Sequence, residues 1–141
     1  MIILSVDYGD VRTGIAVCDK LEILASPVCV ITERNQQRLI EKISAIATEK
    51  KAELIVVGLP KNMDSSEGER AQKCIALGNE LSAATGLSVV MRDERLSTVS
   101  AHNILNTTNT RGKNRKAVVD SVAAVIILQD YLDFRKINNL K

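Results

Sequence analysis

Three acidic residues stand where the surrounding sequence predicts burial, and together they have the chemistry of a metal site. Asp7 ends an apolar run rich in β-branched residues, Glu94 follows shortly after a second apolar run, and Asp120 interrupts a third. A carboxylate in such a setting is costly unless a cation or hydrogen bonds compensate its charge. Carboxylate oxygens are the hard ligands that Mg²⁺ and Mn²⁺ prefer. Two such ions about 4 Å apart can activate a water and stabilise the leaving oxygen of a phosphodiester.

Each acid also has a simpler interpretation when it is taken alone. Asp7 could belong only to a turn, and Asp120 could cap a helix or pair near its start. Glu94 could pair with Arg92 or Arg95. The three simpler interpretations do not explain why all three acids fall at one edge of the predicted sheet, and this coincidence favours a shared role.

The sequence offers little material for other catalytic chemistries. The single histidine, His102, lies on a predicted surface helix, and a Ser-His-Asp triad or a histidine-rich metal site would depend on it. No P-loop lysine motif is found. The only aromatic residues are Tyr8, Tyr131 and Phe134, too few for a base-stacking platform. A nucleic-acid partner would therefore be held through its backbone and its shape.

Basic residues suited to holding phosphate occur near the acids. They are Arg12 and Arg95 beside the first two acids, and Arg111, Lys113, Arg115 and Lys116 just before Asp120. The segment Asn106–Lys116 is polar and basic, which predicts a loop that is mobile in the free protein. A solvated loop is the simpler interpretation, but a cationic stretch that leads directly into a buried acid is typical of a phosphate contact.

The periodicity of the apolar residues predicts the elements that position these side chains. The predicted strands are Ile2–Asp7, Gly14–Cys18, Leu24–Ile31, Leu54–Gly58 and Leu87–Met91. The predicted helices are Gln36–Lys50, Glu67–Thr85 with Gly86 just past its end, Ser97 or Thr98 to about Asn106, and about Arg115–Arg135. The first three strands have short links and predict an antiparallel meander, in which Pro27 indicates an edge position. Strands reached through a helix are usually parallel and buried.

Right-handed crossovers place the fourth and fifth strands beside the first, which gives the spatial order 3-2-1-4-5. This is the layout of an RNase H-like α/β fold, with a five-stranded mixed sheet flanked by helices. Ligands of open α/β sheets gather at the carboxyl ends of the parallel strands, where Asp7 and Glu94 both fall. The opening turn of the last helix could bring Asp120 to the same edge. The 141 residues are predicted to form a single domain, residues 1–141.

Composition indicates the cellular compartment of the protein but does not identify its binding partner. The formal net charge of +2 does not by itself indicate nucleic acid. Cys18, Cys29 and Cys74 lack the close spacing of zinc or redox motifs, so buried reduced thiols in a cytoplasmic protein are expected. Asp7 interrupts the first apolar run too early for a signal peptide, and no apolar run approaches the length of a membrane span. The apolar last helix leaves a homodimer open.

Four segments in order resemble the motifs of one known family. They are Asp7–Gly14, Val57–Pro60 followed by Met63 and Asp64, Asp93–Thr98, and Lys116–Gln129. Each is similar to a motif of the YqgF family, also called the RuvX or Holliday junction resolvase family. The resemblance covers nearly the whole chain, and four motifs in order are far more specific than any one of them.

The resemblance implies an RNase H-like nuclease of the broad RuvC group that depends on a divalent metal, Mg²⁺ or Mn²⁺. For bacterial members it implies a role in maturing the 5′ end of pre-16S ribosomal RNA. The acidic positions of the family fall on Asp7, Glu94 and Asp120. One departure is visible, because Ser65 stands where the family commonly has glycine. That change alters the flexibility of a loop but touches none of the acids.

Alternatives to the RNA-processing role remain at this level. The sequence does not distinguish precursor RNA from branched DNA as the substrate. The pattern of Asp7, Gly9 and Gly14 also resembles the phosphate loop of actin- and sugar-kinase-like ATPases, although those proteins bind nucleotide between two such domains. A third alternative is a catalytically silent nucleic-acid-binding module, against which the retention of all three acids argues. Metal-dependent cleavage set against ATP binding would separate these classes.

Overall fold

The protein folds as a mixed five-stranded sheet with helices on both faces, in a computed structural model that describes residues 1–59, 68–93 and 112–137. The strands are β1 (Ile3–Asp7), β2 (Arg12–Cys18), β3 (Ala25–Thr32), β4 (Leu54–Leu59) and β5 (Ser88–Asp93). The helices of these ranges are α1 (Gln36–Glu49), α2 (Gly68–Thr85) and α3 (Gly112–Ile137). The strand order is β3-β2-β1-β4-β5, so the order predicted from right-handed crossovers is confirmed.

The strand directions also agree with the prediction. β1 pairs antiparallel with β2, β2 pairs antiparallel with β3, and β4 pairs parallel with both β1 and β5. β3 takes the edge position that Pro27 indicated. The register shifts beside this proline, since Ile15 pairs with Cys29 and Ala16 pairs with Pro27. Such a bulge lets an edge strand accommodate a residue that cannot donate to the ladder.

Side-chain alternation along β1 divides the interior into two layers. Leu4 and Val6 are fully buried against α1 and α2, in a core that also contains the apolar faces of those helices. Ile3 lies on the opposite face, in the core that the sheet forms with α3. β1 is covered on both faces, as its nearly continuous apolar sequence predicts.

The helix ends follow local signals in the sequence. Asn35 caps α1 by accepting a hydrogen bond from the backbone N–H of Arg38 at 3.0 Å. Gly86 lies just past α2 with a φ of 74°, a conformation that favours glycine, as predicted. α3 begins at Gly112, so the prediction of a loop extending to Lys116 is wrong for residues 112–116. Because lysine and arginine are good helix formers, the helix extends beyond its apolar part into this basic segment. The rest of that loop and the predicted helix ending near Asn106 lie outside the described residues.

α3 runs antiparallel to β1. The side chain of Gln129 accepts a hydrogen bond from the N–H of Ala25 at 3.0 Å and donates to the carbonyl of Ile23 at 3.2 Å. Nε of Arg135 donates to Glu22 at 2.6 Å. These contacts fix the second half of α3 at the β2–β3 turn, which lies at the amino end of β1. The first turns of α3 therefore lie toward the carboxyl end of β1.

Candidate active site

Asp7 is the last residue of the central strand β1 and is half-buried. It pairs with Gly14 of β2, and the preceding Val6 pairs with Val57 of β4. Asp7 is two residues from Ser5, so strand alternation places both on the face covered by α3. The structure therefore puts this predicted acid at the carboxyl edge of the sheet, on the face that α3 covers.

A buried hydrogen bond sets the level of α3 on this face. The hydroxyl of Ser5 donates to the backbone carbonyl of Ala124 at 2.7 Å. Asp7 lies two residues beyond Ser5, about 6.6 Å along the strand. Asp120 lies four residues before Ala124, about 6 Å along the helix. Because α3 is antiparallel to β1, both steps lead in the same direction, and the backbone of Asp120 is carried toward the edge that holds Asp7.

Glu94, the second predicted acid, directly follows β5 in the sequence. β5 ends at Asp93, and Glu94 lies outside the described residues, as does Arg95. Arg92, a predicted partner of Glu94, donates from Nε to Asp130 of α3 at 2.8 Å. Its guanidinium also lies 4.6 Å from the centre of the Phe134 ring. These contacts place the side chain of Arg92 on the face of the sheet that α3 covers.

The turn that follows Asp7 is tightly built. A Cβ atom on Gly9 would lie 1.9 Å from the carbonyl oxygen of Arg12, so only glycine fits there without moving the backbone. The hydroxyl of the fully buried Thr13 bridges the turn, since it accepts from the N–H of Gly9 at 3.3 Å and lies 3.4 Å from the carbonyl of the same residue. Arg12, a predicted phosphate contact, begins β2 at the same edge of the sheet as Asp7.

Arg70, in the first turn of α2, clamps this turn from the opposite face of the sheet. Its Nη1 lies 2.6 Å from a carboxylate oxygen of Asp10, and its Nη2 donates to the carbonyl of Tyr8. The guanidinium lies 4.9 Å from the centre of the Tyr8 ring. Nothing in the sequence marks Arg70 as part of the site, because an arginine at the start of a helix has no motif and its partners lie about 60 positions away.

The predicted basic contacts are only partly placed. Lys113, Arg115 and Lys116 belong to the first turns of α3, ahead of Asp120, rather than to a loop. Arg111 lies outside the described residues, as Arg95 does. The structure therefore brings Arg12 and the first turns of α3 to the edge that contains Asp7.

The described part of this edge is compatible with a hard divalent cation. Within residues 1–59, 68–93 and 112–137, no group of three or more His, Cys, Asp or Glu side chains could hold a metal ion. Of the predicted ligands, Asp7 alone has a described side chain. The half-buried carboxylate of Asp7 is an oxygen donor of the type that Mg²⁺ and Mn²⁺ prefer.

The cysteines behave as ordinary thiols. All three are free, and Cys18 and Cys74 are buried as predicted. The prediction of burial is wrong for Cys29, which is half-buried. Burial raises the pKa of the Cys18 and Cys29 thiols, which keeps them protonated and unreactive. His102 lies outside the described residues. No helix in the described part of the chain is both long and apolar enough to cross a membrane.

The fold is that of the RuvC-type resolvases within the RNase H-like class. RuvC of Thermus thermophilus in complex with Holliday junction substrate matches with a TM-score of 0.63 over 96% of both chains, at 12% identity. The fowlpox virus Holliday junction resolvase matches with a TM-score of 0.59 over 95% of this chain and 99% of the viral one, also at 12% identity. At such low identity the likeness concerns the fold alone.

The family follows from sequence similarity. The family model described as RuvX, Holliday junction resolvase, matches residues 1–134, and the chain belongs to this family. A relative from Agathobacter rectalis is 42% identical over 137 residues, covering 95% of this chain and 96% of the relative. One from Clostridioides difficile is 43% identical over 137 residues, covering 97% and 96%. Both carry the provisional name of pre-16S rRNA nuclease. The family predicted from the four motifs is confirmed.

Proposed function

We propose that this chain is a divalent-metal-dependent endonuclease that hydrolyses phosphodiester bonds in structured nucleic acid and processes the 5′ end of pre-16S rRNA. The observation that carries the proposal is the position of Asp7, at the carboxyl end of the central strand and on the face where Asp120 approaches in α3. Membership of the RuvX family and the names of the relatives support the reaction class and the RNA substrate.

Asp7, Glu94 and Asp120 are the residues that would hold Mg²⁺ or Mn²⁺, as one or two ions. When bound, the metal supplies an activated water and neutralises charge on the leaving oxygen. The fold of the chain contributes by positioning the acidic residues. Asp7 is fixed by the β1–β2 ladder, and Asp120 is carried by a helix whose level on the sheet is set by the Ser5 hydrogen bond to Ala124.

The substrate backbone would be held by the basic residues around this edge. They are Arg12, Arg95, Arg111, Lys113, Arg115 and Lys116. The beginning of α3 contributes as well, because the positive end of a helix dipole favours a phosphate group. With three aromatic residues in the chain, recognition relies on backbone and shape rather than on base stacking.

Branched DNA is the second candidate substrate. It is favoured by the description of the family and by the fold shared with two Holliday junction resolvases. The ATPase alternative is not favoured, because the RuvX family model accounts for residues 1–134. A catalytically silent module would have no need for a carboxylate held at this edge.

A cleavage assay tests the proposal directly. A labelled precursor 16S rRNA fragment and a four-way DNA junction are each incubated with Mg²⁺, Mn²⁺ or chelator. The variants are wild type, Asp7→Asn, and Asp133→Asn as a control that removes an exposed carboxylate from the far end of α3. We expect metal-dependent RNA cleavage that is lost in Asp7→Asn and kept in Asp133→Asn. Junction cleavage with intact RNA would favour the second candidate, and no cleavage of either substrate would contradict the proposal.

Three further aspects stay predictions. We place the protein in the cytoplasm because precursor rRNA is its proposed substrate. Residues 1–141 are taken as one RNase H-like domain. A homodimer is tested by light scattering across a range of protein concentrations.

A further inference from the structure

The backbone directly after Asp7 is held by contacts within the turn that joins β1 to β2. The register of β1 with β4 runs to Val6, and the register with β2 runs to Asp7. Beyond that point the turn takes over from the sheet. The absence of a Cβ on Gly9 lets the turn close against Arg12, and the Thr13 hydroxyl bridges it from inside. Asp7 is thus the last residue of the ladder, and the turn fixes the backbone that directly follows it.

Arg70 contacts this turn from outside and stabilises it. One guanidinium arm lies 2.6 Å from Asp10, the other donates to the carbonyl of Tyr8, and the flat face covers the Tyr8 ring at 4.9 Å. These three contacts lie on both sides of Gly9, so they brace the turn at two points. Only a planar guanidinium combines a fork of donors with a stacking face, which a lysine ammonium cannot reproduce.

Arg70 and Asp7 lie on opposite sides of the sheet. The core against α1 and α2 includes Tyr8, whereas strand alternation turns Asp7 toward α3. α2, which carries Arg70, is anchored in that first core by fully buried residues such as Leu77 and Leu81. The position of α2 is thus transmitted to the residue that directly follows Asp7.

We propose that Arg70 is a positioning residue for Asp7, which sets the affinity of the acidic site for a divalent cation without touching the cation. This inference rests on the proposed function, in which Asp7 is a metal ligand. Groups that orient a metal ligand typically contribute about tenfold to a hundredfold in metal affinity or activity.

Calorimetric titration of the metal-free protein with Mn²⁺ alone tests the proposal. Arg70→Ala is expected to raise the Kd for Mn²⁺ by at least about tenfold. Arg70→Lys keeps the charge beside Asp10 but loses the fork and the stacking, so its Kd should lie between those of wild type and Arg70→Ala. A merely structural role for Arg70 would lower the melting temperature without this graded change in Mn²⁺ affinity.

The chain contains a matched control at the opposite end of the sheet. Arg135 also pairs with an acid, Glu22, at 2.6 Å, and lies 5.9 Å from the ring centre of an aromatic residue, Tyr131. Arg135→Ala removes the same type of contact and should lower the melting temperature while leaving the Kd for Mn²⁺ unchanged.

Asp7→Asn separates failure of this inference from failure of the proposed function. If Asp7→Asn abolishes Mn²⁺ binding and Arg70→Ala binds like wild type, the positioning role is overturned and the metal site stands. If Asp7→Asn itself binds Mn²⁺ like wild type, the proposed function is overturned. If Arg70→Ala does not fold, Arg70→Lys decides alone: a raised Kd supports the positioning role, and a wild-type Kd overturns it.

Discussion

The hydroxyl of Ser5 lies 2.7 Å from the backbone carbonyl of Ala124, in a hydrogen bond buried between β1 and α3. It joins residues 119 positions apart in the sequence. Apolar side chains surround it, and apolar contacts alone could slide by a fraction of a helical turn. A directional polar contact restricts that freedom, so this pair helps the contacts of Gln129 and Arg135 to fix the level of α3 on β1.

Replacing Ser5 tests this anchor. Ser5→Ala removes the donor, while the carbonyl of Ala124 belongs to a helix and keeps the partner that helices provide. We expect a loss of about 1 kcal/mol in the free energy of unfolding, measured by urea denaturation. Ser88→Ala is the control, because Ser88 is exposed on β5 and should unfold like wild type. Equal stability of the two variants would mean that the hydrogen bond does not anchor α3.

The three acids are expected to act as one site. Asp7→Asn, Glu94→Gln and Asp120→Asn should each lower the cleavage rate at least about a hundredfold while the far-ultraviolet dichroism stays unchanged, because each change removes a metal ligand. Asp93→Asn is the neighbouring control, because it removes an adjacent carboxylate that is not assigned to the metal. If Asp93→Asn strongly lowered the cleavage rate and Glu94→Gln left it nearly normal, the assignment of Glu94 as the second acid would be wrong.

The basic residues ahead of Asp120 should govern the salt dependence of binding. Arg111, Lys113 and Arg115 are replaced together with alanine, and binding to RNA and DNA is measured at several salt concentrations in chelator. Each cation that neutralises a phosphate contributes about 0.7 to 0.9 to the slope of log K against log salt, so the triple variant should show a flatter slope for both substrates. An unaltered slope would remove this segment from substrate binding.

The pH dependence of stability should carry the signature of Glu22. Partial burial raises the pKa of this carboxyl, but hydrogen bonds from Arg135 and the N-terminal ammonium group outweigh that effect and hold its pKa below the ordinary value. A carboxyl with a lowered folded-state pKa stabilises the protein above its unfolded pKa, about 4.3, and this stabilisation is lost as the pH falls through the folded value.

Glu22→Gln should therefore destabilise the protein at neutral pH and lose less stability than wild type as the solution is acidified below about pH 4.3. Thermal melts from neutral to acid pH provide the measurement. Parallel melting curves for the two proteins over this range would contradict the assigned role of the ion pair.

The fold could be predicted because its signals are local or topological. The mainly apolar run of Ile3–Val6 is buried on both faces, as a central strand requires, and Pro27 marks the edge. The position of Asp7 at the end of a buried strand could be predicted for a related reason, because an acid there contradicts the local apolar pattern. Its role as a metal ligand stays a prediction.

Contacts between distant segments were not predictable. Arg70 resembles any arginine in the first turn of a helix, and its partner Asp10 resembles any aspartate in a turn. The Ser5 hydroxyl has no neighbour in the sequence that suggests a helical carbonyl as its acceptor. The start of α3 at Gly112 was missed because polar, basic residues are compatible with both a loop and a helix.

The way α3 is attached suggests how the protein could be engineered. Its second half is tied to the scaffold through Gln129, Asp130 and Arg135, and its midpoint through Ala124. Among the side chains that the structure describes, the contacts that hold the helix in register lie at or beyond its midpoint, away from the turns proposed to meet the substrate. Exchanging residues 112–117 for those of another family member should therefore transplant substrate preference with little cost in expression or melting temperature.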